Sequence, residues 1–150
     1  MTTCAGTARA EYSPGLTLMP RTTSTTFSET YGICTSTGQP AIASATTPSK
    51  MVVEERSCAT PLDALGPVTQ TVTWNTGQTS TFQYTAVVTN VAGVSQVTGT
   101  GIVTSGLFQG ASVVKVVIRA NLDPLQTLAC ATPDGLTEIN GTASLTFTQL

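Results

Sequence analysis

The sequence contains no histidine, and charged side chains make up only 9% of its 150 residues, against about 25% in ordinary globular domains. Without histidine, a serine or cysteine nucleophile lacks its usual general base, so the common form of nucleophilic catalysis is excluded. The net charge is −2, and no cluster of Lys or Arg provides the basic surface that holds nucleic acids or anionic membranes. The composition therefore predicts neither nucleic-acid binding nor membrane insertion.

The four cysteines are widely spaced and form no C-x-x-C motif. A zinc site would need all four thiolates, because histidine is missing, and their spacing lacks the paired knuckles of such sites. We therefore expect no metal, no cofactor and two structural disulfides, Cys34–Cys58 and Cys4–Cys130, in an oxidising, extracellular location. No apolar run approaches the roughly 20 residues that span a bilayer, and no signal peptide follows Met1. We expect a secreted protein whose signal segment is absent from this sequence.

Strand-forming residues dominate the chain. Val, Ile, Thr, Tyr and Phe recur with period two and are interrupted about every eight to twelve residues by Gly, Pro or Asn. Helical periodicity is nowhere convincing. These features predict one all-β domain over residues 1–150, an antiparallel two-sheet β-sandwich of about eight or nine short strands, with an open β-barrel as the alternative.

Alternation within a strand also predicts which side chains face the core. In the valine-rich run around Lys115, the side chains of Val114, Val116 and Ile118 share one face and are expected to point into the core. Lys115 and Arg119 share the other face and are expected to point into solvent. The run therefore predicts a half-buried antiparallel strand.

Two polar segments have structural interpretations. Asn140-Gly141 lies between two alternating runs and predicts the type I′ turn of a hairpin. Glu54-Glu55-Arg56 is interpreted as a solvated strand end, because no local arrangement of carboxylates suggests the close pair that glycoside hydrolysis requires. A hydrolase is therefore the least favoured functional class.

The only tryptophan, Trp74, directly precedes Asn75-Thr76-Gly77. Val72 and Trp74 share one strand face, so we expect Trp74 to point inward and cap the end of the core. Its indole N–H is expected to bond a carbonyl near the turn. The alternative is a platform on which a sugar or another ring stacks.

Several stretches of the sequence resemble a known group of proteins, and the likeness covers nearly the whole chain. The most specific stretch ends in Ser105-Gly-Leu-Phe-Gln-Gly110. The stretches are Tyr12–Thr17, Cys34, Ser57-Cys58, Thr73–Gly77, Ser80–Phe82, Gly99–Gly110, Leu128–Cys130 and Asn140–Leu145. In these stretches the chain resembles small secreted actinobacterial, Streptomyces-like proteins of uncharacterised function, which implies secretion and a compact disulfide-bonded β fold but no catalytic residues.

These features favour a secreted, non-enzymatic binding, adaptor or structural module, such as a small subunit of an extracellular toxin particle. A secreted protease inhibitor is the alternative. The segment Thr35–Lys50 is mostly uncharged, contains two prolines and is predicted to be a long loop. Within it, Gln39, Pro40 and Ile42 are the predicted partner-binding residues, with Ile42 as the anchor. The competing interpretation is that Ile42 packs onto the fold while the loop covers a sheet edge.

Overall fold

The structure is a computed structural model that describes residues 1–37, 41–47, 50–58, 65–91, 94–120 and 124–149. Every strand pairing among these residues is antiparallel. The strand order is β1-β9-β8-β7-β6-β5-β3-β2, and β2 pairs back to β1, so eight strands close into a barrel. β4 pairs with the first part of β2. The elements are β1 (Thr2–Leu16), β2 (Arg21–Ser36), β3 (Ala45–Thr46), β4 (Lys50–Arg56), β5 (Leu65–Trp74), β6 (Thr79–Val91), β7 (Val94–Gly106), β8 (Ser112–Ala120), α1 (Pro124–Cys130) and β9 (Leu136–Thr148).

The structure has the fold that the sequence analysis gave as its alternative, a β-barrel, and the predicted β-sandwich is wrong. Several strands are also much longer than expected, since β1 has 15 residues and β2 has 16. Strands of this length can cross a barrel wall obliquely and pair with a neighbour on each side. The sheet therefore closes on itself instead of dividing into two layers.

One end of the barrel interior, which we call the tryptophan end, is filled by aromatic rings. Trp74 is 2% exposed, as predicted, and its ring centre lies 5.7 Å from that of Phe108 and 5.2 Å from that of Phe147. Its indole N–H donates to Ser80 Oγ at 2.8 Å, and the Ser80 hydroxyl donates to the carbonyl of Leu107. The predicted carbonyl partner of the indole is therefore wrong, because the indole donates to a serine hydroxyl instead. Trp74 acts as a core anchor, because both its ring and its polar group are satisfied inside the fold.

The opposite end, which we call the helix end, lies where β8 ends and α1 follows. Cys130 at the end of α1 is bonded to Cys58, which follows β4. Cys130 also packs with Leu16, Leu136 and Ile139, so the helix is anchored against this end of the barrel. The sequence did not predict α1, because seven residues are too few to display a helical period.

The four cysteines form two disulfides, as predicted, but the predicted pairing is wrong. The bonds join Cys4 to Cys34 and Cys58 to Cys130. Cys4 and Cys34 lie opposite each other in the β1–β2 ladder with their Cα atoms 4.1 Å apart. Strand register therefore determines the pairing, and spacing along the chain does not reveal a long-range register.

Asn140-Gly141 does not form the predicted turn, because both residues lie in the middle of β9. Asn140 is opposite Arg9 and Gly141 is opposite Ala8 in the ladder with β1. A Cβ atom at position 141 would lie 2.6 Å from the carbonyl oxygen of Ile118. The glycine thus permits a close approach of β9 to β8.

Candidate functional site in the barrel interior

The side chains that β8 directs into the barrel are not those that the alternation predicted. Lys115, Val117 and Arg119 are buried, and the two charged residues are each 6% exposed. Val114 and Ile118 are on the outer wall, with 40% and 41% exposed. The predicted period of two is present, but the assigned faces are wrong, because both charged side chains were placed in solvent and valine, which occurs on both faces, gives no opposing signal.

Lys115 lies in a buried polar network that joins opposite sides of the barrel. Its Nζ is ion-paired with the carboxylate of Glu29 from β2 and donates to Gln70 Oε1 from β5 at 2.9 Å. Glu29 Oε2 accepts from Gln70 Nε2 at 3.2 Å and from Thr47 Oγ1 at 2.9 Å. The network fixes the position of both charged groups inside the fold.

Two aromatic rings also contact the ammonium group of Lys115. Its Nζ lies 5.6 Å from the ring centre of Phe27 and 5.2 Å from that of Tyr84, within the range of cation–π interactions. Gly99 of β7, opposite Lys115 in the ladder, leaves room for one of these rings. A Cβ atom at Gly99 would lie 2.7 Å from Tyr84 Cδ2. The amine is therefore surrounded by protein groups rather than by bulk water.

This environment changes the acidity of the lysine. Burial, followed by the positive charge of Arg119, lowers the pKa of Lys115 to about 7, although contact with Glu29 on its own favours the charged amine. Burial also raises the pKa of Tyr84 to about 12, further above neutral pH than that of an ordinary tyrosine. Lys115 can therefore exist in part as a neutral amine at neutral pH.

A second cluster of polar side chains lies nearer the helix end and is centred on Arg119. Burial lowers the pKa of Arg119, a hydrogen bond to Tyr12 opposes this effect, and the charge of Arg56 adds to it. Among the described residues, Nε and Nη1 of Arg119 have no hydrogen-bond partner, and neither does Oγ1 of Thr25. Buried polar atoms are normally paired, because leaving them unpaired costs free energy. These atoms therefore mark a place where a bound acceptor would be stabilised.

The polar side chains around Lys115 and those around Arg119 line one cavity of about 80 Å³. On this scale a single water molecule needs roughly 10–15 Å³, so the cavity can hold a small organic molecule. The rest of its wall is mainly apolar and comes from five strands. The apolar and aromatic lining includes Ala10, Phe27, Tyr84, Ala86, Val97 and Val117.

Of the partner-binding residues predicted from the sequence, Ile42 is not among the residues that line this cavity. Gln39 and Pro40 lie outside the described residues. Ile42 is 4% exposed and belongs to the main core, and its backbone N–H donates to Ser36 Oγ at 2.9 Å. The structure thus shows the interpretation in which Ile42 packs onto the fold, and its side chain is not presented to a partner.

The residues of the cavity were not predicted as a site, because their charged side chains were assigned to solvent. Arg56 was expected at a solvated strand end but is 4% exposed and lines the cavity. Its neighbour Glu55 is exposed, as expected for alternate residues of β4. The one signal in the sequence was the low content of charged residues, 9%. A chain with so few charges has an outer surface made mainly of hydroxyl side chains such as threonine, so its few charged side chains need not lie on that surface.

Within the described ranges, no group of His, Cys, Asp or Glu side chains is arranged to hold a metal ion. The same residues include no helix that is long and apolar enough to cross a membrane. The two disulfides fit an extracellular location. Comparison of the chain with protein-family models, with curated proteins and with solved structures gave no match. The resemblance to secreted actinobacterial proteins therefore stays a prediction.

Proposed function

We propose that this protein is a secreted, non-enzymatic binding protein that holds a small apolar carboxylate inside its barrel. The observation that carries this proposal is the state of Arg119. Its side chain is buried, lines the cavity and has two nitrogen atoms without a partner among the described residues. A carboxylate accepts short charge-assisted hydrogen bonds from a guanidinium group and matches its planar geometry.

The charges of the interior also support an anionic ligand. Among the described buried side chains, Lys115, Arg119 and Arg56 are cationic, and Glu29 is the one carboxylate. Cations that are buried close together disfavour each other, since little water is present to screen them. A bound carboxylate near Arg119 would offset this repulsion.

The walls of the cavity indicate the rest of the ligand. Ala86, Val97 and Val117 offer no hydrogen bonds, so they suit a carbon chain. Each methylene that leaves water for such a surface contributes about 0.8 kcal/mol. An inorganic anion would lose its hydration here and gain no contact with these walls. The volume of about 80 Å³ limits the chain to a few carbon atoms.

Binding of an extracellular protein through the segment that contains Gln39 and Pro40 remains a prediction, whether as adaptor, as subunit of a toxin particle or as protease inhibitor. The burial of Ile42 removes the anchor that was expected for it. The cavity gives the small-molecule role the stronger support.

Calorimetric titration with hexanoate at pH 7 tests the proposal. We expect one binding site, and we expect hexanol, which lacks the charge, to bind at least about tenfold more weakly, because hydrogen bonds to charged groups contribute about 1.5–3 kcal/mol. Arg119→Gln should weaken hexanoate binding by a similar factor. Arg21→Gln is the matched control, since Arg21 is not among the residues that line the cavity and its guanidinium group donates to the carbonyl oxygen of Gly15.

Equal affinities for hexanoate and hexanol would contradict recognition of the carboxylate. Unchanged hexanoate binding by Arg119→Gln would contradict the role of that residue. If inorganic phosphate bound as tightly as hexanoate, the apolar walls would have no part in selecting the ligand.

A further inference from the structure

We propose that Lys115 captures the carbonyl group of a ligand as a reversible imine, so that the ligand is a short aliphatic oxo acid. This inference rests on the proposed function, in which Arg119 binds the carboxylate at one end of the ligand. It adds a covalent contact between Lys115 and a carbonyl group at the other end of the ligand. Lys115 and Arg119 line the same cavity from the same face of β8. Four residues along a strand separate their Cα atoms by about 13 Å. Both long side chains reach into the cavity, so a short chain with a polar group at each end can contact both.

The surroundings of Lys115 favour a nucleophilic amine. The side chain is 6% exposed, its Nζ lies near the rings of Phe27 and Tyr84, and Arg119 is a neighbouring cation. Desolvation and a second cation are the means by which proteins keep a lysine neutral for attack on carbonyl groups. Because burial, and then the charge of Arg119, lower its pKa, a larger fraction of this amine is neutral at pH 7 than for an ordinary lysine.

Glu29 is placed to move the protons that imine formation requires. The Lys115 ammonium first gives one proton to the Glu29 carboxylate with which it is paired. The neutral amine then attacks the carbonyl carbon, the C–N bond forms, and a proton passes from nitrogen to the former carbonyl oxygen. Glu29 returns its proton to this hydroxyl group, which leaves as water while the nitrogen lone pair forms the C=N bond. The product is a protonated imine that is paired with the Glu29 carboxylate.

The remaining neighbours keep Glu29 available for this role. Gln70 Nε2 and Thr47 Oγ1 both donate to its Oε2, which leaves Oε1 facing Lys115. The Tyr84 hydroxyl is protonated at neutral pH, as an ordinary phenol is, and burial raises its pKa further, to about 12. Of the described groups that face Lys115 from β2, β5, β6 and β8, Glu29 is therefore the one that can accept a proton at pH 7.

The chain has only two lysines, Lys50 and Lys115, so a trapping experiment gives a direct answer. The protein is incubated at pH 7 with 6-oxohexanoate, which carries both functional groups, and the imine is reduced with sodium borohydride. Peptide mapping by mass spectrometry should find Lys115 modified at least about tenfold more than Lys50, given its larger neutral fraction. Hexanal is the matched probe without a carboxylate. We expect a preference for 6-oxohexanoate over hexanal at Lys115, and we expect Arg119→Gln to abolish that preference.

The double variant Glu29→Gln/Lys115→Met removes the pair without leaving one buried charge alone, and it should show no modification at position 115. Equal modification of the two lysines, or none at Lys115, would overturn the inference. If hexanoate still bound in that case, the proposed function would stand. Modification of Lys115 to the same extent by hexanal and by 6-oxohexanoate would support the reactive lysine and overturn carboxylate recognition.

Discussion

Lys115 should make the protein more stable in mild alkali than at neutral pH. In the unfolded chain this amine holds its proton up to about pH 10.5, whereas burial, and then the charge of Arg119, lower its pKa in the folded protein to about 7. Between these values the unfolded state binds more protons than the folded state, so the free energy of unfolding rises with pH. Below pH 7 both states are protonated, and this contribution to stability is absent.

The size of the effect follows from the same difference in pKa. Each unit corresponds to about 1.36 kcal/mol, and integration from pH 7 to pH 9.5 gives a rise of about 3 kcal/mol. For a domain of this size, that rise increases Tm by roughly 6–12 °C. Tyr12, Tyr31 and Tyr84 act in the opposite direction, since burial raises the pKa of each of these phenols. Their effect begins near the ordinary tyrosine pKa of about 10, above the range used here.

Urea unfolding at intervals between pH 7 and pH 9.5 measures this rise, with the fluorescence of the single tryptophan, Trp74, as the signal. The four cysteines are all in disulfides, so no thiol is present to start exchange in alkali. The double variant Glu29→Gln/Lys115→Met is the control and should give a flat profile. Lys115→Met alone leaves the Glu29 carboxylate buried without its cation and should lose about 3–5 kcal/mol. A flat or falling profile for the natural protein, or a rise that persists in the double variant, would refute the assignment to Lys115.

Two further predictions concern the parts of the fold that surround the cavity. Trp74→Ala should cost about 3–5 kcal/mol through lost burial and an unfilled cavity, as measured by circular dichroism in urea. Hexanoate affinity should not change, and a variant with unchanged Tm but lost binding would instead make Trp74 a ligand platform. Cys58→Ala/Cys130→Ala should cost about 4 kcal/mol in the chain-entropy model, because the disulfide closes a loop between residues 72 positions apart. The Cys4–Cys34 bond spans 30 positions, so Cys4→Ala/Cys34→Ala should cost slightly less in the same assay, and equal Tm values for these variants and the natural protein would contradict both estimates.

The sequence predicted local geometry well and long-range geometry poorly. The inward position of Trp74 followed from its parity with Val72 and from the adjacent turn, and both features act within a few residues. The disulfide partner of Cys4 depends on the register of β1 against β2. That register is determined by contacts along the whole length of both strands. Closure of the barrel likewise depends on a pairing between the first and second strands that no short window contains.

The cavity was missed for a different physical reason. On β8, one face carries Val114 and Ile118, and the other carries Lys115, Val117 and Arg119. Hydrophobic patterning assigns the first face to the core, because burying a charge normally costs free energy, whereas burying a methylene is favourable. That rule fails where a strand lines a polar interior. The inner face of such a strand then carries the charges. Departures of this kind from local sequence rules are expected at functional sites.

The stability of the fold does not by itself account for the arrangement around Arg119. Buried ion pairs can often be replaced by apolar residues of similar volume without loss of stability, so buried cations are weak evidence of a stabilising role. The aromatic rings at the tryptophan end and the two disulfides stabilise the barrel independently of the buried cations. Guanidinium nitrogens that lack a partner among the described residues make the ligand-free protein less stable than it could be. A ligand that binds only the folded state recovers that free energy by mass action, about 2.7 kcal/mol at a concentration one hundred times its Kd. Hexanoate should therefore raise the Tm of the natural protein, and at the same concentration it should stabilise Arg119→Gln only about half as much, because binding to that variant is about tenfold weaker.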